Sequence, residues 1–265
     1  MAIPPPRPNH VALVTGASSG IGKALARDLA ARGHALVLIA RRRVRLEILA
    51  AQLTQDFGVR VDIVAADVTK PEDRAGVTQA VSGLGLTIDV LVLCAGFGMV
   101  APFIESDPER LVQMIRTNVE ATVALARAIV PDMVTRRSGS ILMVSSMAGN
   151  QPMPNFATYA ATKAAVTSIA ESLHCELKPY GITVTALCPA SVSTEFAEVA
   201  QASQIERRQP RRLIATPEQC SQVGLAALAR GRRTAVPLLP ARMFVWVAAH
   251  MPRSIWLPVC RRMFS

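Results

Sequence analysis

HVALVTGASSGIGKALARDLAARG, residues 10–33, is the run on which the architecture turns. A β-branched and aliphatic segment, His10 to Thr15, leads into Gly16, Gly20 and Gly22 and then into a segment with the apolar spacing of an amphipathic helix. The order is strand, phosphate loop, helix. Glycines let the backbone turn tightly and approach a pyrophosphate closely, and the free N–H groups of a helix start favour its negative charge. Ser18, Ser19 and Ile21 complete the loop as a nucleotide cradle. A plain glycine-rich turn would carry the same glycines, but here the strand before it and the helix after it are both legible.

The alternation continues along the chain. Besides 10–15, strands are expected near 35–40, 60–65, 89–93, 140–145 and 182–188, with helical segments between them. Strand and helix alternate without a break until about residue 195, which predicts an α/β fold: a Rossmann-like, doubly wound parallel sheet with helices on both faces. A chain of 265 residues, 51% hydrophobic, is ample for one large core, so 1–265 reads as a single domain. MAIPPPRP reads as a short extended arm over 1–8, 195–215 as a substrate flap, and 237–265 as a hydrophobic helical extension. No internal repeat or low-complexity tract interrupts it.

A second signal lies in YAATKAAVTSIAESLHCEL, residues 159–177, which reads as a helix carrying Tyr159 and Lys163 on one face. A phenol with a reference pKa of about 10 is a poor proton donor at neutral pH, and an ammonium one turn away is expected to lower that value. Taken alone, YxxxK on a helix is more often a ring packed on an aliphatic stem.

With Thr15 in front, the GxxxGxG spacing takes the form TGxxxGIG, and from about residue 9 to 195 the chain resembles the short-chain dehydrogenase/reductase family. Ser146, at the end of the strand ILMVSS, stands thirteen residues before Tyr159, as that family's catalytic serine does; Ser145 is the second choice. Asn118 in RTNVEATVAL matches the family's helix asparagine, Asp67-Val68 its adenine contact, and Pro189 to Thr194 (PASVST, including Val192) its PGxxxT segment. The resemblance implies about seven strands, the last near Ala235-Val236. It also implies a mechanism: Ser146 and Tyr159 bind the carbonyl oxygen, Tyr159 acts as acid, Lys163 holds the nicotinamide ribose and lowers the tyrosine pKa, and Asn118 holds a water. Two positions depart from the pattern. Leu93-Cys94-Ala95-Gly96 replaces NNAG, keeping a backbone approach to the cofactor but putting sheet support in doubt, and Ala190 replaces the glycine of PG.

Cofactor type is read at the end of ALVLIARRR. A carboxylate about twenty residues past the glycine loop would bind the adenosine ribose of NAD, but Ala40, Arg41 and Arg42 stand there and the first nearby acid is Glu47. A guanidinium suits a 2′-phosphate, so NADP(H) is expected.

The net charge of +10 invites a nucleic-acid reading, but the arginine clusters lack interleaved aromatics and aromatic content is only 4%, so none is expected. Five cysteines, odd in number and widely spaced, suggest neither disulfides nor a metal site; they read as core residues in a reducing, cytoplasmic compartment. Substrate identity rests on the flap and tail. The flap's arginines 207, 208, 211 and 212 are suited to an acidic headgroup or to plain solvation. The tail could cover a lipid channel, rest peripherally on a membrane, or pack on the body or a second subunit, and it has no apolar run near the ~20 residues that span a bilayer. The proline-rich start and Arg-bearing tail are similar to those of oxoacyl reductases of mycolate-type lipid pathways, and related enzymes act on hydroxysteroids. The resemblance therefore implies reduction of a small-molecule or lipid ketone, most simply a 3-oxoacyl or β-keto-ester substrate, by a homodimer or homotetramer. The alternatives are oxidation of a hydroxysteroid or other alcohol, and a nucleotide-binding regulator without turnover.

Overall fold

Seven short apolar segments pair side by side, all parallel, in a computed structural model that describes residues 3–200 and 214–263. Residues 201–213, most of the expected flap, lie outside the described residues. In chain order the body comprises β1 (His10–Thr15), α1 (Gly20–Ala31), β2 (Ala35–Ala40), α2 (Arg43–Phe57), β3 (Val61–Ala65), α3 (Pro71–Gly83) and β4 (Thr87–Leu93). Next come α4 (Pro108–Ile115), α5 (Ala121–Arg136), β5 (Gly139–Val144), α6 (Ala157–Leu177), β6 (Ile182–Leu187), α7 (Pro217–Ala229) and β7 (Thr234–Ala235). Two tail helices, α8 (Leu239–His250) and α9 (Arg253–Met263), end the chain.

The sheet order is β3-β2-β1-β4-β5-β6-β7, a doubly wound parallel sheet of seven strands as expected, and the seventh strand forms one residue earlier than its expected site. Winding reverses between β1 and β4, so their C-terminal ends diverge and leave a crevice, the usual ligand position in such sheets. Strands β5 and β6 are buried along their whole length because helices cover both faces, which is why they read as continuous apolar runs. Alternation along each strand divides the core. Val11 and Leu13 face the layer of α3, α5 and α6, whereas Ala12 and Val14 face the layer of α1, α2 and α7.

The N-terminal arm is tied down by charge. Asp89 in β4 is buried, and a buried carboxylate needs a partner. Arg7 supplies one, with its guanidinium 2.9–3.1 Å from both carboxylate oxygens, and His10 Nδ1 lies 3.0 Å away. The tail folds back over the crevice: the Trp256 indole N–H donates to the Pro152 carbonyl at 3.1 Å, and Trp256 and Cys260 join a third apolar cluster with Met99, Met114, Met153 and Tyr159.

Candidate active site

The crevice at the β1–β4 divergence encloses about 870 Å³. It is lined by every site residue expected from the sequence except Asn118, which stands just behind the wall. The glycine loop forms one end. Gly16 adopts φ +69°, and a Cβ there would come within 3.0 Å of the Ala95 backbone; one on Gly22 would sit 2.3 Å from the Gly16 carbonyl oxygen. Both positions exclude any side chain, so peptide groups line this end of the cleft.

The support left in doubt by the loss of NNAG comes from Thr15. Its hydroxyl accepts from the Cys94 and Ala95 backbone N–H groups at 2.9 and 3.1 Å and donates to the Val92 carbonyl at 3.3 Å. One buried side chain thus holds the end of β4 against β1.

Asp67 Oδ1 accepts from the Thr69 N–H and hydroxyl at 3.0 and 2.8 Å. Burial pushes its carboxyl up, but these bonds and the charges of Arg41 and Lys70 outweigh that and hold it below the usual range. Past the end of β2, Arg42 reaches over the loop. Its guanidinium donates to Ser18 Oγ and Ser19 Oγ at 2.9 Å and to the Glu195 carboxylate at 2.9 Å, and Arg45 donates to the same carboxylate at 2.6 Å.

At the other end α6 and the end of β5 bring Tyr159, Lys163 and Ser146 together. Ser146 Oγ accepts from the Ala148 N–H at 3.2 Å and hydrogen-bonds the Tyr159 phenol. Burial pushes the phenol up to about 12, against the lowering effect of Ser146. Burial likewise pulls the Lys163 amine down to about 8, with Cys94 and Cys188 acting in the opposite direction. The expectation that Lys163 lowers the tyrosine pKa is corrected here. The amine donates to the Val144 carbonyl at 2.9 Å, lies 5.8 Å from the phenol ring centre and is itself pushed toward neutrality, so desolvation of the phenolate dominates.

Asn118 lies in a single π-helical turn, Arg116–Glu120, between α4 and α5, a local widening often found at functional sites. Its amide is engaged with the Phe97 N–H at 3.0 Å, the Phe97 carbonyl at 2.9 Å and Thr162 Oγ1 at 3.0 Å, which fixes the backbone beside Gly96. Ser145 donates to the Lys163 carbonyl at 2.8 Å and bonds Thr167, so it anchors α6, and Ser146 is the serine beside the phenol. Several neighbours lie outside the sequence expectations. Thr15 opens the TGxxxGIG motif, which says nothing of its hydroxyl's bonds to β4; Arg45 and Glu195 only stand beside motifs, and Gly149, where a Cβ would come within 2.6 Å of the Lys163 backbone, carries none. The rings of Phe156 and Phe196 pack on Tyr159 at 5.0 and 5.5 Å between centres; Phe156 stands just before α6 and Phe196 opens a single helical turn too short to show periodicity.

The chain's relationships agree with this geometry. Residues 10–204 match the short chain dehydrogenase family. A very-long-chain 3-oxoacyl-CoA reductase of Anas platyrhynchos is 33% identical over 252 residues, 92% of this chain and 76% of that one. Among solved structures, a short-chain dehydrogenase from Sphingobium yanoikuyae in complex with NADPH is 34% identical with a TM-score of 0.80, over 91% of this chain and 92% of that one. A bulky-bulky ketone specific alcohol dehydrogenase from Comamonas testosteroni is 28% identical with a TM-score of 0.76, over 92% and 95% of the two chains. The chain therefore belongs to the short-chain dehydrogenase/reductase family and is an oxidoreductase.

Proposed function

We propose that the chain reduces a ketone on a hydrophobic substrate, a 3-oxoacyl or β-keto-ester lipid, with NADP(H). The observation that carries this reading is a single cleft with a Tyr159–Ser146 hydroxyl pair near one end and the Arg42–Ser18–Ser19 cluster at the other. The names of the duck and Sphingobium relatives point the same way.

The glycine loop, Asp67, Val68, Ala95, Gly96, Val192 and Thr194 would hold the dinucleotide, with Arg41 and Arg42 at its 2′-phosphate; the glycine positions that a Cβ would fill fit that group. When bound, the reduced nicotinamide supplies a hydride to the carbonyl carbon. Ser146 Oγ would donate a hydrogen bond to the carbonyl oxygen, and Tyr159 would give that oxygen its phenolic proton as negative charge develops. Lys163, titrating near 8, would stand ready to pass a proton toward the phenol, and Asn118 keeps the Gly96–Phe97 backbone in place beside it.

An acyl chain is favoured by the apolar side of the site: Met153, Phe156 and Phe196 line the cleft beside Tyr159, and Met99 and Trp256 belong to the same apolar cluster. NADPH-oxidation assays with 3-oxoacyl thioesters of graded length against steroid ketones test the reading. Turnover rising with chain length supports it; turnover of steroid ketones alone moves the assignment to the hydroxysteroid alternative, and cofactor binding without turnover of any ketone moves it to the regulator. A lower KM for NADH than for NADPH would overturn the cofactor choice.

Peripheral membrane contact from a cytoplasmic location belongs to the same proposal. No helix among the described residues is long and apolar enough to cross a membrane. On α8, Leu239, Met243, Trp246 and Val247 share one exposed face, and after Glu218 the sequence has seven arginines and no acidic residue. Such a face suits an anionic lipid surface. Co-sedimentation with phosphatidylglycerol vesicles, lost on Trp246→Glu, is the expected result. Homodimer or homotetramer assembly is also proposed, with exposed Val112, Ile115 and Val123 of α4 and its surroundings as the apolar contact; sedimentation velocity tests it.

A further inference from the structure

We infer that Glu195 occupies the seat of the cofactor's 2′-phosphate, so that NADP(H) must expel this carboxylate to bind whereas NAD(H) need not. The inference rests on the NADP(H) reading above and adds a residue that sets the ratio between the two cofactors. Arg42 is oriented on the glycine loop by Ser18 and Ser19, and one oxygen of Glu195 takes its Nη1 at 2.9 Å while the other takes Arg45 Nη1 at 2.6 Å. Two guanidinium groups converging on one anion beside a phosphate loop make a built anion site, here filled by a side chain of the same chain. Hydrogen bonds from Arg42 and then Arg45 hold the Glu195 carboxyl below its usual range, so the occupant is charged at neutral pH.

Shared donors make the two anions compete. Glu195 already takes Arg42 Nη1 and Arg45 Nη1, so a phosphate monoester with close to two negative charges would meet occupied donors and a like charge in the same seat. The carboxylate therefore leaves when the 2′-phosphate enters. A ribose 2′-hydroxyl brings no charge, and Glu195 can stay. Both ion pairs are about half exposed, and pairs of that kind are weak, so together they oppose NADP(H) by a factor of roughly three to thirty.

Glu195 is also the residue before Phe196, whose ring packs on Tyr159 and over Gly98, where a Cβ would sit 2.6 Å from Phe196 Cζ. The Phe196 N–H is held by Thr194 Oγ1 at 3.2 Å, and the Val199 N–H donates to the Glu195 carbonyl at 3.0 Å. Expelling the carboxylate thus disturbs the turn that rests on the catalytic phenol, which links 2′-phosphate recognition to access at Tyr159.

The test compares wild type with Glu195→Gln, titrating NADP+, NAD+, adenosine 2′,5′-bisphosphate and adenosine 5′-monophosphate by calorimetry, with amide hydrogen exchange followed over 194–200. Expected is a three- to thirtyfold gain in affinity for NADP+ and the bisphosphate in the variant, with NAD+ and the monophosphate changed by less than about twofold. In wild type the bisphosphate, and not the monophosphate, should speed exchange over 194–200, and the variant should exchange fast without ligand. An unchanged or weaker affinity for the bisphosphate in Glu195→Gln overturns the inference, as does exchange over 194–200 that ignores the bisphosphate. Failure of the NADP(H) reading alone would show differently: wild type would bind NAD+ more tightly than NADP+ while the bisphosphate gain persisted.

Discussion

At the nucleotide end of the cleft the wall is backbone: Gly16 and Gly22 leave no room for a Cβ, and Thr15 pins the Cys94 and Ala95 N–H groups. At the substrate end the wall is side chains. Met153, Phe156 and Phe196 line it beside Tyr159, and Met99 and Trp256 belong to the same apolar cluster, so four separate segments contribute, the last of them in the tail. A backbone wall is set by glycine spacing within one loop and tolerates almost no change, whereas a side-chain wall is set by packing between distant segments and can be altered without touching the cofactor. The two ends should therefore fail independently.

Tyr159→Phe is the strongest attempt to break that independence. The ring keeps its packing against Phe156 and Phe196 while the acid is lost, so ketone reduction should fall roughly a thousandfold, with NADPH affinity within about twofold. Steady-state rates and a binding titration check it; turnover within tenfold of wild type would reject the proposed acid. Trp256→Ala comes next. A buried indole and its bond to Pro152 are removed, and truncations of this kind cost about 3 kcal/mol, felt first as loosening of α9. The expectation is a large rise in substrate KM with unchanged NADPH affinity, and a parallel loss of nucleotide binding would mean that the two ends are coupled. Gly22→Ala probes the opposite end: its Cβ would meet the Gly16 carbonyl at 2.3 Å, so the loop must open, costing about 1–3 kcal/mol in stability and weakening nucleotide binding at least tenfold. Calorimetry with NADP+ and urea unfolding measure both.

The same contrast explains how much of the molecule is legible in its sequence. The glycine loop, the strand positions and the Tyr159–Lys163 spacing are encoded by short-range chemistry: φ requirements, apolar runs and one helical turn from Tyr159 to Lys163. Thr15 as the replacement for an asparagine is not legible, because a strand-end threonine reads as β-propensity and its acceptor role exists only once β4 lies alongside β1. Phe196 and Trp256 are hidden for a similar reason: each occupies a turn or a tail helix whose partner is more than thirty residues away in the chain. The direction of the Tyr159 shift escapes the sequence because helical spacing reports proximity of an amine but nothing of burial, and here desolvation of the phenol outweighs an amine 5.8 Å from its ring centre.

Lys163, where the two ends meet, offers the smallest and most discriminating effect. Burial lowers its amine from 10.5 to about 8, so below pH 8 the folded protein carries a buried cation at a cost of about 3 kcal/mol. Between about pH 8 and 10.5 the unfolded chain binds more protons than the folded one, and stability from this group rises with pH. Tyr159, Cys94 and Cys188 act oppositely, because burial raises their pKa values and the stability each contributes is lost as pH climbs. The raw pH profile mixes these effects; the difference between wild type and Lys163→Met isolates the amine. Methionine keeps the stem but gives up the bond to the Val144 carbonyl, worth about 1 kcal/mol. The variant should then be more stable than wild type by about 2 kcal/mol at pH 7, with the difference shrinking above pH 8 and changing sign toward pH 10.5. Urea midpoints from pH 6 to 10.5 read it directly, and a flat difference would mean that the amine is solvated in the folded protein and that the catalytic end is more open than its packing indicates.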